Sequence, residues 1–182
     1  MTQDEFVKGT ENWDNYKPLL WLALEETRGE ILELGCGNGS TPVLTKYSED
    51  TGRKLRSYDY NKEWASKFPN AIHVENWNGF DFEIPVSVAL VDESPGSQRR
   101  ISIQRLRTNA EIIIVHDSEP KGWNASDYKV RPIFKDFKYV VEIKSKEPQG
   151  AWATALSETI DITKWIGLEI EGFKIVAYEP RD

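Results

Sequence analysis

Apolar positions along the chain switch between helical spacing and short continuous runs, the alternation expected of an α/β fold. Residues 13–27 (WDNYKPLLWLALEET) carry an apolar stripe through Leu19, Leu20, Leu22, Ala23 and Leu24 and predict a covering helix within residues 1–29. Residues 30–34 (EILEL) predict a short strand that runs into glycines. Thr41-Pro42 reads as an N-cap followed by proline at the first helical position, with a helix from there to about Glu49. A second strand covers 54–58 and runs into Asp59. Asn61 caps a short helix that Pro69 stops after Phe68, and AIHVE at 71–75 is a third strand. VSVALVD (86–92) and EIIIVHD (111–117) are continuous apolar runs, the pattern of parallel strands buried on both faces. Residues 97–108 between them read as a helix with Ile101 and Leu106 inward. Turn formers fill 118–132, followed by a short helix (RPIFKDF) and a strand at 138–144. Beyond Gly150 two segments have strand character, WATALSETIDI and FKIVAY. A sheet of six parallel strands and one antiparallel strand needs only the first, which leaves the tail, 161–182, unplaced.

The chain's 182 residues suit one domain, 1–182 with a core over 30–160, large enough to hold its core without disulfides. Cys36 is the sole cysteine, so no internal disulfide forms. The net charge of −7 opposes nucleic acid and anionic membrane surfaces as partners. The opening residues are polar and acidic, and no run approaches the ~18 apolar residues of a membrane span. A cytoplasmic location is expected, and the oligomeric state is not legible. No internal repeat is present.

Ile31-Leu32-Glu33-Leu34-Gly35-Cys36-Gly37-Asn38-Gly39 lies directly after one predicted strand and before a helix. The chain must turn sharply there, and a ligand must press on bare backbone. Glu33 sits two positions before the first glycine, and Asp59 closes the next strand 20 residues past Gly39, where a carboxylate can grip a ribose hydroxyl. A pyrophosphate dinucleotide wants G-x-G-x-x-G at a helix N-terminus. This chain offers G-x-G-x-G beside a carboxylate, which suits a cationic ligand such as S-adenosylmethionine, with its sulfonium and α-ammonium.

ELGCGNG resembles the first motif, E/D-x-G-x-G-x-G, of the class I S-adenosylmethionine-dependent methyltransferases. Asp59 matches the acidic residue that ends their second strand, and VALVDES (88–94) matches their fourth strand and its end. The resemblance covers roughly residues 13–160. It implies a three-layer Rossmann-like sandwich with a seven-stranded, mostly parallel sheet and one antiparallel strand. It implies Glu33, Gly35, Gly37 and Gly39 around the methionine moiety of S-adenosylmethionine, Asp59 on the ribose, and Asn76 with Trp77 near the adenine. Tyr60 either packs on the adenine or fills a gap, and Asn38 either touches the ligand or supplies a tolerant turn.

Methyl transfer is an in-line displacement, so the protein's task is to position an acceptor and manage its proton. Asp92, His116 and Asp117 converge by topology beyond the fourth and fifth strands. They are the candidate catalytic residues, with His116 the general base because its ordinary pKa lies near neutrality. His73, mid-strand, reads as structural. Two strand-end carboxylates suit a divalent ion, as in catechol-type O-methyltransferases. Here Ser118 stands where an Asn-type ligand would follow, and no metal is predicted.

The N/D-P-P-Y/F signature of base-modifying enzymes is absent: the residues are Asp92-Glu93-Ser94-Pro95. Arg99, Arg100, Arg105 and Arg107 read as a solvated helix face. Trp123 and Trp152 fall on the acceptor rim in this topology, where indole rings stack on sugars or simply pack the loops. Trp13 and Tyr16 belong to a lid over the cofactor or to a plain covering helix. The expected reaction is O-methylation of a hydroxyl on a sugar, glycan or other small molecule. A nicotinamide-dependent oxidoreductase and a non-catalytic S-adenosylmethionine-binding module are the alternatives.

Overall fold

A computed structural model describes residues 1–11, 13–120 and 128–180. The sheet is laid down by β1 (Ile31–Leu34), β2 (Leu55–Asp59), β3 (Ala71–His73), β4 (Val86–Val91), β5 (Ala110–His116), β6 (Tyr139–Ile143), β7 (Ala153–Ser157), β8 (Glu169–Ile170) and β9 (Phe173–Ala177). Their order is β3-β2-β1-β4-β5-β7-β6-β9-β8. β1 to β5 run parallel, and β7 inserts antiparallel between β5 and β6.

Among the described residues the sheet has nine strands, not the expected seven. Residues 152–162 supply the antiparallel strand as predicted, but FKIVAY forms a strand too. β9 pairs antiparallel with β6 and folds back on β8 through Glu171-Gly172, both at positive φ. The extra pair forms because β6 would otherwise present an open edge, and the alternation of Phe173 and Ile175 gives β9 an apolar face to bury.

The helices are α1 (Gln3–Val7), α2 (Lys17–Glu26), α3 (Thr41–Thr51), α4 (Lys62–Ala65) and α5 (Arg99–Leu106). They cover both faces. Val88 and Leu90 of β4 join Leu19, Leu20, Leu24 and Leu44 on one face. Ala89 and Val91 join Ile103, Leu106 and Phe134 on the other. No helix among the described residues is long and apolar enough to cross a membrane.

Two local expectations shift. α2 starts at Lys17 rather than Trp13, because Pro18 cannot sit deeper than the first turn of a helix. α5 turns Arg99, Ser102, Ile103 and Leu106 inward and leaves Ile101 about half exposed. Its phase is set by Arg99, which has buried partners at the ends of β4 and β5.

Candidate functional site

Glycine is required at position 35. Its φ is +90°, and a Cβ there would lie 2.4 Å from the main-chain oxygen of Asp92. The loop that follows is held from both sides. Gly35 N donates to the Tyr58 carbonyl at 2.8 Å, and Cys36 N donates to Asp59 Oδ2 at 2.8 Å. The Trp64 indole donates to the Cys36 carbonyl at 2.6 Å. Gly37 N donates to the Thr41 hydroxyl at 3.0 Å, which in turn donates to Glu33 Oε1 at 3.0 Å. Thr41 is therefore the first helical residue and ties the loop to β1; the N-cap is Ser40.

Glu33 is fully buried. Burial pushes its carboxyl up to about 7, although the hydroxyls of Ser40, Ser57 and Thr41 pull it down. Asp59 is also buried and spends its second oxygen on Asn61 N at 2.7 Å. It organises the loop, and each oxygen keeps a lone pair with which a ribose hydroxyl is compatible.

Over the loop lies a depression of about 310 Å³ lined by Gly9, Glu11, Trp13, Asp14, Tyr16, Gly37, Gly39 and Asp92. That volume is at the small end of the roughly 300–1,000 Å³ of small-molecule sites. A Cβ on Gly39 would stand 3.1 Å from the Tyr16 hydroxyl, so the bare backbone leaves the roof and floor just clear of each other. A larger depression, about 480 Å³ and lined by Gly29, Pro85, Ser87 and Asn109 among others, opens at the amino ends of the strands. Open parallel sheets bind ligands beyond the carboxyl ends, so the smaller one is the candidate site.

The structure brings Asp92, His116 and Asp117 together. His116 Nδ1 is 3.2 Å from Asp92 Oδ1, and Nε2 is 3.6 Å from Asp117 Oδ1. The His116 ring also meets Tyr16 edge-on, with centroids 4.9 Å apart. Desolvation would lower the imidazole's pKa, but Asp92 and Asp117 outweigh it and raise it. Desolvation likewise opposes the charge on Asp92, yet His116 and Arg99 hold its carboxyl below the usual range. Of the three, only Asp92 lines the depression.

Other predicted site residues fall elsewhere. Asn38 is exposed on the loop, and Tyr60 is 46% exposed past the end of β2. Asn76 accepts from Gly79 N and lines a separate depression with His73 and Phe80. Trp77 is 3% exposed, and its indole donates to the Ser94 carbonyl at 2.8 Å. Neither Asn76 nor Trp77 reaches the glycine loop's depression.

Trp152 does not form a rim. It is 2% exposed, with the Arg131 guanidinium 5.4 Å from its ring centre, because Ala151-Trp152 leads straight into the central strand β7. Trp123 lies outside the described residues. Among the described residues the exposed indole is Trp13, at 77%, which also borders a neighbouring depression of about 290 Å³ with Lys146, Glu171 and Phe173.

Arg99 is the residue the helix pattern concealed. It is 4% exposed, not solvated, and pairs with both Asp92 and Asp117. The only sequence signal was its place seven residues past the strand-end aspartate.

No family model matches the chain, and no curated protein matches it in sequence. Solved structures are similar in fold. A human methyltransferase 10 domain containing protein aligns at TM-score 0.52 with 14% identity, over 79% of this chain and 80% of that one. The METTL16 MTase domain aligns at 0.51 with 13% identity, over 79% and 67%. Cofactor-bound Rv0187 from MTB aligns at 0.54 with 16% identity, over 86% and 85%. The chain thus has the Rossmann-like fold of the class I methyltransferases, with two further strands at one edge of the sheet.

Proposed function

We propose that the protein transfers a methyl group from S-adenosylmethionine to a hydroxyl on a sugar, glycan or other small molecule. One observation carries this: the depression over the bare backbone of Gly37 and Gly39 is lined by three acidic side chains, Glu11, Asp14 and Asp92. Asp14 is paired with Lys17 and Asp92 with Arg99, but neither cation lines the depression, and its acidic lining favours a cationic ligand over a pyrophosphate. Gly37, Gly39, Asp14 and Tyr16 would hold the methionine end, and Asp59 the ribose. S-adenosylmethionine, when bound, supplies an already activated methyl group.

What remains for the chain is orientation and proton management. Asp92 faces the depression and accepts the hydroxyl's hydrogen bond. His116 lies 3.2 Å behind it, and with its imidazole neutral the coupled carboxylate–imidazole pair takes the proton leaving the acceptor and becomes carboxylate–imidazolium, the form that Asp92 and Asp117 stabilise. The open face of Trp13 offers a plane on which a sugar or ring can rest.

Calorimetry with S-adenosylmethionine, S-adenosylhomocysteine and a nicotinamide dinucleotide tests the donor. Uptake of the first two alone is expected; uptake of the dinucleotide alone would falsify the assignment. A panel of sugars and phenols then tests the acceptor. Donor binding with no transfer to any of them would favour a binding module instead.

A further inference from the structure

Two carboxylates and an imidazole whose ligand atoms lie within 4.8 Å of one another form the kind of cluster that holds a divalent ion: Asp92, His116 and Asp117. In this chain a cation already stands among them. The Arg99 guanidinium makes four hydrogen bonds there and an ion pair besides. Nε donates to the Glu93 carbonyl at 3.0 Å. Nη1 donates to the His116 carbonyl at 3.0 Å and to Asp117 Oδ2 at 3.1 Å. Nη2 donates to the Asp92 carbonyl at 3.1 Å and lies 2.8 Å from Asp92 Oδ1. The Tyr128 ring covers the guanidinium from 4.1 Å, in a space that exists because residue 96 is glycine: a Cβ there would sit 2.0 Å from the Tyr128 ring.

The donor set does not fit a metal in the presence of this side chain. Asp92 Oδ1 faces both Arg99 and His116 Nδ1, and the two oxygens of Asp117 face Arg99 and His116 Nε2. An incoming divalent ion would meet a fixed positive charge beside every carboxylate it needs. A lysine could not replace Arg99 either, since its three donors cannot span two carboxylates and three carbonyls on adjacent strands.

We propose that Arg99 is the resident cation of the strand-end cluster, a positioning residue that fixes Asp92 and Asp117 and keeps divalent metal out, so that the site works without one. The proposal goes beyond the methyl-transfer assignment. Its test needs neither methyl donor nor acceptor, so its outcome is separate from that of the calorimetry above.

The full chain and its Arg99→Ala and Arg99→Gln variants are titrated with Mn²⁺, with free ion followed by electron paramagnetic resonance and melting followed in parallel. The wild-type protein is expected to take up no ion at this cluster, with a Tm that neither Mn²⁺ nor a chelator moves. At least one variant is expected to bind Mn²⁺ about tenfold or more tightly than wild type and to regain part of its lost Tm when the ion is added. Adding Asp117→Asn to that variant removes the gain. A purely structural arginine would leave its variants unfolded or weakened with no response to metal. The proposal is overturned if wild-type protein binds Mn²⁺ through Asp92 and Asp117. It is equally overturned if neither variant gains affinity, or if both stay unfolded with and without the ion.

Discussion

Gly35 and Asp92 meet main chain to main chain: a methyl group on the glycine would lie 2.4 Å from the aspartate's carbonyl oxygen. The contact cannot relax, because Asp92 N is bonded to the Leu34 carbonyl at 2.8 Å. Gly35→Ala adds this clash to the roughly 1–3 kcal/mol of a side chain at positive φ. The expected loss is at least about 3 kcal/mol, or a Tm lowered by roughly 6–12 °C. Gly52→Ala is the control. Its φ is +70°, but nothing stands within 4 Å, so only about 1–2 kcal/mol should be lost. Equal melting temperatures for the two variants would show that the strand-end contact is not tight.

Asp92→Asn and His116→Ala should separate turnover from binding. A general-base pair contributes about 10²–10⁴ in rate, so kcat should fall by that factor on any hydroxyl acceptor the protein uses. S-adenosylhomocysteine affinity, read by calorimetry, should change less than about tenfold. Two fully active variants would remove both residues from the chemistry.

Stability should fall as pH rises from mildly acidic to neutral. Burial raises Glu33 and Glu93 from 4.5 to about 7. Between those values the folded chain holds more protons than the unfolded one, so the stabilising contribution is full below 4.5 and is lost as pH rises through about 7. His116, also raised, acts in the same direction. Asp92 acts oppositely, but below its ordinary 3.8. Each glutamate contributes on the order of 1–3 kcal/mol across its window. Glu93→Gln should flatten the slope of Tm against pH; an unchanged slope would mean that Glu93 does not titrate there.

Arg131 donates to Glu142 Oε2 at 3.0 Å, to the Ser118 carbonyl at 2.9 Å and to the Glu179 carbonyl at 2.9 Å. Arg131→Met leaves Glu142 buried without its closest counter-ion and should cost about 3–5 kcal/mol. The double variant Arg131→Met, Glu142→Met should regain much of that, since well-packed apolar pairs often match a buried ion pair. Denaturant unfolding of the three proteins checks it, and a double variant no better than the single would count against the pairing.

The glycine loop was readable because its chemistry is contiguous: acid, glycines and helix start follow one another, and Asp59 falls at the end of the next strand. Arg99 was not, because its burial depends on carbonyls and carboxylates arriving from two strands at once, which periodicity does not encode. The phase of α5 is hidden for the same reason. Topology alone puts Trp152 on a rim, whereas the Arg131 and Lys144 side chains at its ring, which the sequence does not bring together, leave it covered. FKIVAY has a strand's alternation in plain view; only a strand count borrowed from the methyltransferase resemblance argued against it.

The hairpin of β8 and β9 changes what the sheet offers to other molecules. Without it the outermost strand on that side would be the five residues of β6; with it the border is the two residues of β8, and the opposite border is the three residues of β3. Borders this brief leave almost no free main-chain ladder for a second polypeptide to extend. A chain cut before β8 should therefore expose the β6 edge and self-associate through it more than the whole protein, as size-exclusion chromatography of the two would show.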